Sequence, residues 1–141
     1  MALDKVFRLV RNWHPEVLPT ELKYRDSLTS FLRAGLGNAK IENEYRHEGT
    51  TIDIYMKLPG FFSSTEVFIE LKRNLLQKAQ LDRLVGQVES LKPGKNNIIV
   101  VLCGESNPAL VTRLKDKYSA EDPFFGKIAV VVKDPTKGAA K

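Results

Sequence analysis

Between Thr51 and Lys72 apolar and polar positions alternate twice over. Ile52, Ile54, Met56 and Leu58 fall on one side and Asp53, Tyr55 and Lys57 on the other; further on, Val67, Ile69 and Leu71 oppose Glu66, Phe68, Glu70 and Lys72. A period of two belongs to half-buried strands, and Pro59-Gly60 with Ser63-Ser64 supplies turn chemistry between them, so the stretch is predicted to be a β-hairpin. Phe61-Phe62 at its tip is read as a local cluster covering the sheet edge, in preference to an exposed pair that stacks on unpaired bases. Upstream, Lys40 to Arg46 reads as a first strand, with His47-Glu48-Gly49 turning into the hairpin.

The other periodicities are helical, with one exception. Leu3, Val6, Phe7, Val10 and Trp13 predict an amphipathic helix over residues 2–13, stopped by His14-Pro15. Thr20 is the expected N-cap of a second helix, Glu21 to Ala34, ended by Gly35 and Gly37, with Glu21 on the same side as Tyr24, Leu28, Phe31 and Leu32. Asn74 to Leu91 predicts a third helix ended by Lys92-Pro93-Gly94. Its stripe is Leu76, Leu81, Leu84, Val88 and Leu91, with Gln80 and Gln87 drawn into the apolar face and Gly86 allowing close packing on the sheet. Buried amides need partners, so those glutamines point to a polar site at the strand ends. Asn97 to Cys103 is the exception: a continuously apolar run, as in a central strand covered on both faces. Ser106 or Asn107 caps a fourth helix with Pro108 in its first turn. Glu121-Asp122-Pro123 then turns the chain, Phe124-Phe125 anchors it, Lys127 to Lys133 forms a last strand, and residues 135–141 fray.

Length and composition narrow the function classes more than they choose among them. A chain of 141 residues with 43% hydrophobic and 28% charged residues suits a single α/β domain over 1–141, with a buried core and no need of staples. Its expected parts are an N-terminal helix and connector (1–19), a core (20–103), a C-terminal helix and strand (104–134) and the tail. One cysteine and two histidines exclude a disulfide framework and a zinc cluster, and Cys103 reads as a small buried hydrophobe. There is no apolar run long enough to span a membrane and no signal-peptide pattern at Met1-Ala2-Leu3-Asp4, so the expected location is the cytoplasm. The net charge of +5 and pI near 9.4 favour a polyanionic partner.

Chemistry enters with the register of the hairpin. One pairing sets Lys57 opposite Glu66, Tyr55 opposite Phe68 and Asp53 opposite Glu70. The first two pairs are favourable, but two opposed carboxylates repel unless a cation lies between them. A hard divalent ion with positions open to water and phosphate would be that cation.

An acid on one strand, a hairpin, then Glu-X-Lys on the next, here Asp53 and Glu70-Leu71-Lys72, resembles the PD-(D/E)XK nuclease superfamily. The predicted order of elements over residues 20–103 agrees with that superfamily's αβββαβ core, the restriction-endonuclease-like fold: a mixed sheet flanked by helices, here with an added N-terminal helix and a C-terminal helix and strand. Thr51-Ile52-Asp53 stands where the literal motif has Pro-Asp. The resemblance implies that Asp53, Glu70 and the backbone carbonyl of Leu71 hold Mg²⁺, for which Mn²⁺ would substitute, and that Lys72 orients or deprotonates water or neutralises transition-state charge. It also implies that Glu21 is the acid on the preceding helix and that Gln87, with Gln80 second, positions water or phosphate. Glu21 has a plainer reading as a first-turn acid that complements the helix dipole, and Glu44 is a rival for the upstream acid.

The expected function is therefore metal-dependent hydrolysis of nucleic acid phosphodiesters, with DNA the first expectation. The alternative is a catalytically inactive nucleic-acid-binding or assembly module on the same fold. Without an appended specificity module, recognition by nucleic acid shape or through a protein partner is expected, and cutting both strands would favour a homodimer.

Overall fold

The computed structural model describes residues 2–92, 97–118 and 128–134, with the side chains of Ala2 and Leu3 set aside. Along the chain run α1 (Ala2–Asn12), α2 (Glu21–Gly35), β1 (Lys40–His47), β2 (Thr50–Leu58), β3 (Thr65–Arg73), α3 (Lys78–Leu91), β4 (Asn97–Cys103), α4 (Pro108–Tyr118) and β5 (Ile128–Lys133). One sheet holds all five strands in sequence order. β1, β2 and β3 pair antiparallel, whereas β4 and β5 join parallel to β3, with α3 and α4 in the two connections. This is the expected α/β architecture, an αβββαβ core of restriction-endonuclease-like form with one helix before it and a helix and strand after.

The sheet is sandwiched. On one side α1 and α2 bury Val6, Val10, Trp13, Tyr24, Leu28 and Leu32 against Ile54, Met56, Val67, Ile69, Leu71, Ile99, Val101 and Cys103. On the other, α3 and α4 bury Leu81, Leu84, Val88, Leu110 and Leu114 against Phe68, Ile98, Val100 and Leu102. β4 thus contributes alternate residues to both cores, which is why its sequence is apolar throughout.

Local chemistry explains most boundaries. Thr20 caps α2 as expected, its Oγ1 accepting the Lys23 N–H at 3.1 Å. Glu48 (φ +49) and Gly49 (φ +83) make the two-residue turn between β1 and β2, both in the left-handed region that such tight hairpins require. Gly35 lies inside α2 rather than beyond it: a Cβ there would meet the Leu9 methyls at 2.9 Å, so the glycine permits close approach of α1 and α2.

α3 begins four residues later than the apolar pattern predicts. Asn74 adopts φ +55 and its Oδ1 accepts the Glu105 N–H at 2.9 Å, while Gln77 and Gln80 form a reciprocal capping box. In consequence Leu75 is buried and Leu76 is exposed, the reverse of the expected stripe. Gly86 has open space where a Cβ would be, so it serves no close packing on the sheet. The expected stop at Pro93-Gly94, the turn at 121–123, the Phe124-Phe125 anchor, the strand start at Lys127, the tail and the Leu3 side chain lie outside the described residues.

Candidate active site

The hairpin register is the one the cross-strand pairs predict, with Lys57 opposite Glu66 and Tyr55 opposite Phe68. Pairing stops at Ile54 and Ile69, one step before Asp53 would face Glu70. β1 shows a break at the same level: its pairing with β2 is continuous except at Glu44, which adopts φ +52. The alternation of faces breaks there as well. Ile52 packs with Tyr55 and Phe68 in the second core, although strict alternation would have put it with Ile54 and Met56 in the first. Asp53 therefore occupies a crease where β2 changes face.

Beyond that crease β3 continues without β2 as a main-chain partner, and two of its amides need acceptors. The Leu71 N–H donates to Asp53 Oδ2 at 2.8 Å, and the Arg73 N–H donates to Glu21 Oε2 at 3.1 Å. Two acids, one from the crease of β2 and one from the first turn of α2, thus replace the missing strand carbonyls. Lys72, half-buried between those two amides in sequence, places Nζ 4.0 Å from Glu21 Oε2. Arg73 reaches back through Nε to the Leu18 carbonyl at 3.3 Å and ties the connector to the end of β3.

Glu70 is the anomaly of the site. It is only 2% exposed, and its Oε1 is buried without a hydrogen-bond partner. A buried ionised carboxylate is costly unless paired, so the group shifts its proton affinity instead. Burial, reinforced by the neighbouring Asp53 charge, pushes Glu70 up to about 9. Asp53 is also raised, chiefly by burial, against the lowering effect of its bond from Leu71 N–H. A proton kept on Glu70 and donated to Asp53 relieves both in the absence of a cation.

A cation would relieve them differently. The donor set is two carboxylates on adjacent strands, one with an unused oxygen aimed into a buried space, which suits a hard ion that keeps several waters. Among the described residues no group of three or more His, Cys, Asp and Glu side chains is close enough to hold a metal. The protein ligands to an ion here would thus be the Asp53 and Glu70 carboxylates with the expected Leu71 carbonyl, and Glu21 lies outside that set. The Leu71 amide is drawn to Asp53, as described above.

The structure gathers Asp53, Glu70, Leu71, Lys72 and Glu21 around the end of β3, and among the described residues neither candidate glutamine bonds to any of them. Gln87 is exposed on α3, its side chain making no hydrogen bond among the described residues; only its carbonyl is engaged, by Ser90 Oγ at 2.7 Å. Gln80 is taken up at the start of α3, where its Oε1 accepts from Leu76 and Gln77 N–H at 2.9 and 3.0 Å. The expected amides in the apolar face are therefore absent. Both glutamines sit at the rim of the α3 stripe, and the delayed helix start gives Gln80 a capping task instead. Glu44 is exposed and faces Arg25 Nη1 at 3.7 Å, whereas Glu21 reaches the end of β3.

Three further residues shape the electrostatics at this end of the sheet. Arg25, one turn after Glu21 on α2, lowers Asp53 electrostatically; its i, i+4 spacing from Glu21 was a usable signal. Cys103, opposite Arg73 in the parallel register, is pushed up to about 12 by burial and by Glu21, so its thiol stays protonated as expected of a core residue. Lys133 is buried and lowered by that burial, and its Nζ donates to the Arg11 carbonyl at the end of α1.

No family model and no curated protein matches the chain. Among solved structures it is similar to the crystal structure of a repair endonuclease from Pyrococcus abyssi, with 14% identity and a TM-score of 0.48. The match covers 86% of this chain and 50% of that one, so the chain spans half the length of that endonuclease. No helix among the described residues is long and apolar enough to cross a membrane.

Proposed function

We propose that the chain is a metal-dependent nuclease of PD-(D/E)XK type that hydrolyses phosphodiester bonds of nucleic acid, DNA in the first instance. The observation that carries the reading is Glu70: a buried carboxyl beside Asp53 with one oxygen unpartnered. A structural carboxylate would be expected to have both oxygens satisfied. One left bare inside the protein is better explained by a ligand that is itself a cation.

Asp53, Glu70 and the Leu71 carbonyl would hold Mg²⁺ or Mn²⁺, which when bound supplies a Lewis acid for the scissile phosphate and acidifies water. The residues divide the remaining work. Asp53 fixes the geometry by holding the Leu71 amide, so ligand strand and ligand side chain move together. Glu70 must give up its proton for the cation, which makes occupancy favour alkaline over acidic conditions. Glu21 holds the end of β3 through Arg73 and lies within salt-bridge range of the Lys72 ammonium. Lys72 then presents its ammonium to the phosphate or to the attacking water, where it steadies developing negative charge or moves a proton.

A second reading, a binding or assembly module that does no chemistry, is favoured by the lack, among the described residues, of a third acid close enough to complete a ligand cluster and by the outward turn of Gln87. Incubation with branched, linear and single-stranded DNAs and RNAs in Mn²⁺ separates the two. Cleavage of any member by wild type, lost in Asp53→Ala, supports the nuclease; binding without cleavage across the whole panel supports the module.

A further inference from the structure

Outside the candidate site, the strongest unexplained feature is the outer face of α1. Asp4, Phe7, Arg8, Arg11, Asn12 and His14 line a shallow groove along it. Arg8, Arg11 and His14 are exposed, and neither arginine makes a salt bridge among the described residues. Arg11 lies with its guanidinium 5.6 Å over the Phe7 ring. Stacking of this kind orients a guanidinium while leaving its edge N–H groups free to donate. Two exposed arginines without a salt bridge among the described residues, Arg11 oriented by its stacking on Phe7, make the groove a receptor for an anionic group, and the planar fork suits phosphate.

Position gives the groove its meaning. The C-terminal end of α1 is fastened over the sheet by the bond from Lys133 Nζ to the Arg11 carbonyl. Lys133 is opposite Cys103, and Cys103 is opposite Arg73, the residue whose amide holds Glu21. Through Lys133 the end of α1 is thereby tied to β5, two strands away from the β3 strand that carries Glu70 and Lys72. The acids themselves repel a polyanion, and cations placed to one side of them would hold the backbone in place.

We infer that the Arg8 and Arg11 groove on α1 is a phosphate-backbone contact for the nucleic acid whose scissile bond faces Asp53 and Glu70. This extends the nuclease reading and rests on it for the identity of the polyanion. Both side chains are exposed, so replacing them leaves the fold intact, and the Lys133 bond to the Arg11 carbonyl does not involve the arginine side chain.

The test is binding in EDTA, where no cleavage occurs: anisotropy of a labelled duplex and of a labelled single strand across about 50 to 200 mM salt. Wild type, the double variant Arg8→Ala/Arg11→Ala and the conservative Arg8→Lys/Arg11→Lys are compared, with thermal melts to verify folding. The expected result is a double-alanine affinity at least about tenfold lower at the low-salt end, with a log–log slope shallower by about 0.9 for each phosphate lost. The lysine variant should keep most of the slope. Equal slopes and affinities in wild type and the double-alanine variant would overturn the groove while leaving Asp53-dependent cleavage, assayed separately in Mn²⁺, untouched. A wild type that shows no salt-dependent binding overturns both and turns the groove towards an acidic protein surface.

Discussion

The two ends of the β2–β3 pair carry the same residue types and treat them in opposite ways. At the tip end Glu66 is exposed, opposite Lys57, and accepts the Tyr55 hydroxyl; Asn97 Nδ2 donates to the Glu66 carbonyl at 3.1 Å. The ladder there is regular, and the Glu66 side chain and carbonyl both have donors. Four residues along the same strand, Glu70 is buried, its ladder partner is lost to the crease at Asp53, and one oxygen has nothing to bond. Two glutamates on one strand thus differ in a way that hydrophobicity cannot explain. Glu66 contributes to the hairpin, whereas Glu70 costs stability where it stands, which is how a site built for a ligand behaves in the ligand's absence.

The largest effect expected from this contrast is on cleavage. Asp53→Ala or Lys72→Ala should lower the Mn²⁺-dependent rate by about 10³-fold or more, since each removes a group facing developing charge, while Glu66→Gln stays within about twofold. Single-turnover cleavage of the best substrate measures this. Equal losses at Glu66 and Asp53 would erase the distinction between the ends.

Next in size is the dependence of stability on pH. Glu70 titrates near 9 when folded and near its ordinary value of 4.5 when unfolded. Between those values the folded state binds more protons, so the metal-free protein should be most stable below about pH 4.5 as far as this group is concerned. It should lose stability as pH rises through 9. Glu70→Gln should flatten that slope and gain on the order of a few kcal/mol near pH 8, whereas Glu66→Gln should keep the wild-type slope. Denaturant melts in EDTA from pH 5 to 9 decide it; a wild type equally stable across the range would show Glu70 to be satisfied after all.

The smallest effect belongs to the tip itself. Phe61 and Phe62 are 94% and 95% exposed, in edge-to-face contact with each other at 4.8 Å between ring centres. They cover no sheet edge, contrary to the expectation from their sequence. Phe61→Ala and Phe62→Ala should each change stability by less than about 0.5 kcal/mol, against the several kcal/mol expected for Phe68→Ala in the core. Thermal melts of the three variants order them.

Strand periodicity made most of the fold legible. β4 is read to the residue because both its faces are covered, and the hairpin register follows from Lys57–Glu66 and Tyr55–Phe68 alone. The site was legible as a grouping of Asp53, Glu70 and Lys72, but its construction was not. Alternation predicts an unbroken ladder, and the crease depends on a left-handed Glu44 on the neighbouring strand. The late start of α3 was hidden because Asn74 is bonded to a residue 31 positions away, a contact that no local window contains. The same holds for Lys133 and Arg11, separated by 122 positions. Gln87 was misread because a position about 60° from Leu84 on the helical wheel lies at the rim of the stripe, where a long polar side chain turns out to solvent.

The central claim is that Asp53 and Glu70 together receive a divalent cation. The measurement that tests it most directly is the melting temperature in EDTA and in millimolar Mn²⁺ at about pH 8, for wild type and Asp53→Asn. A ligand that binds only the folded state stabilises it by about 2.7 kcal/mol at a hundredfold excess over Kd. Wild type should therefore melt several degrees higher with Mn²⁺, whereas Asp53→Asn, as stable as wild type or more so in EDTA, should not respond. Equal metal-induced shifts in the two proteins would contradict it and return the polar face of the hairpin to ordinary surface.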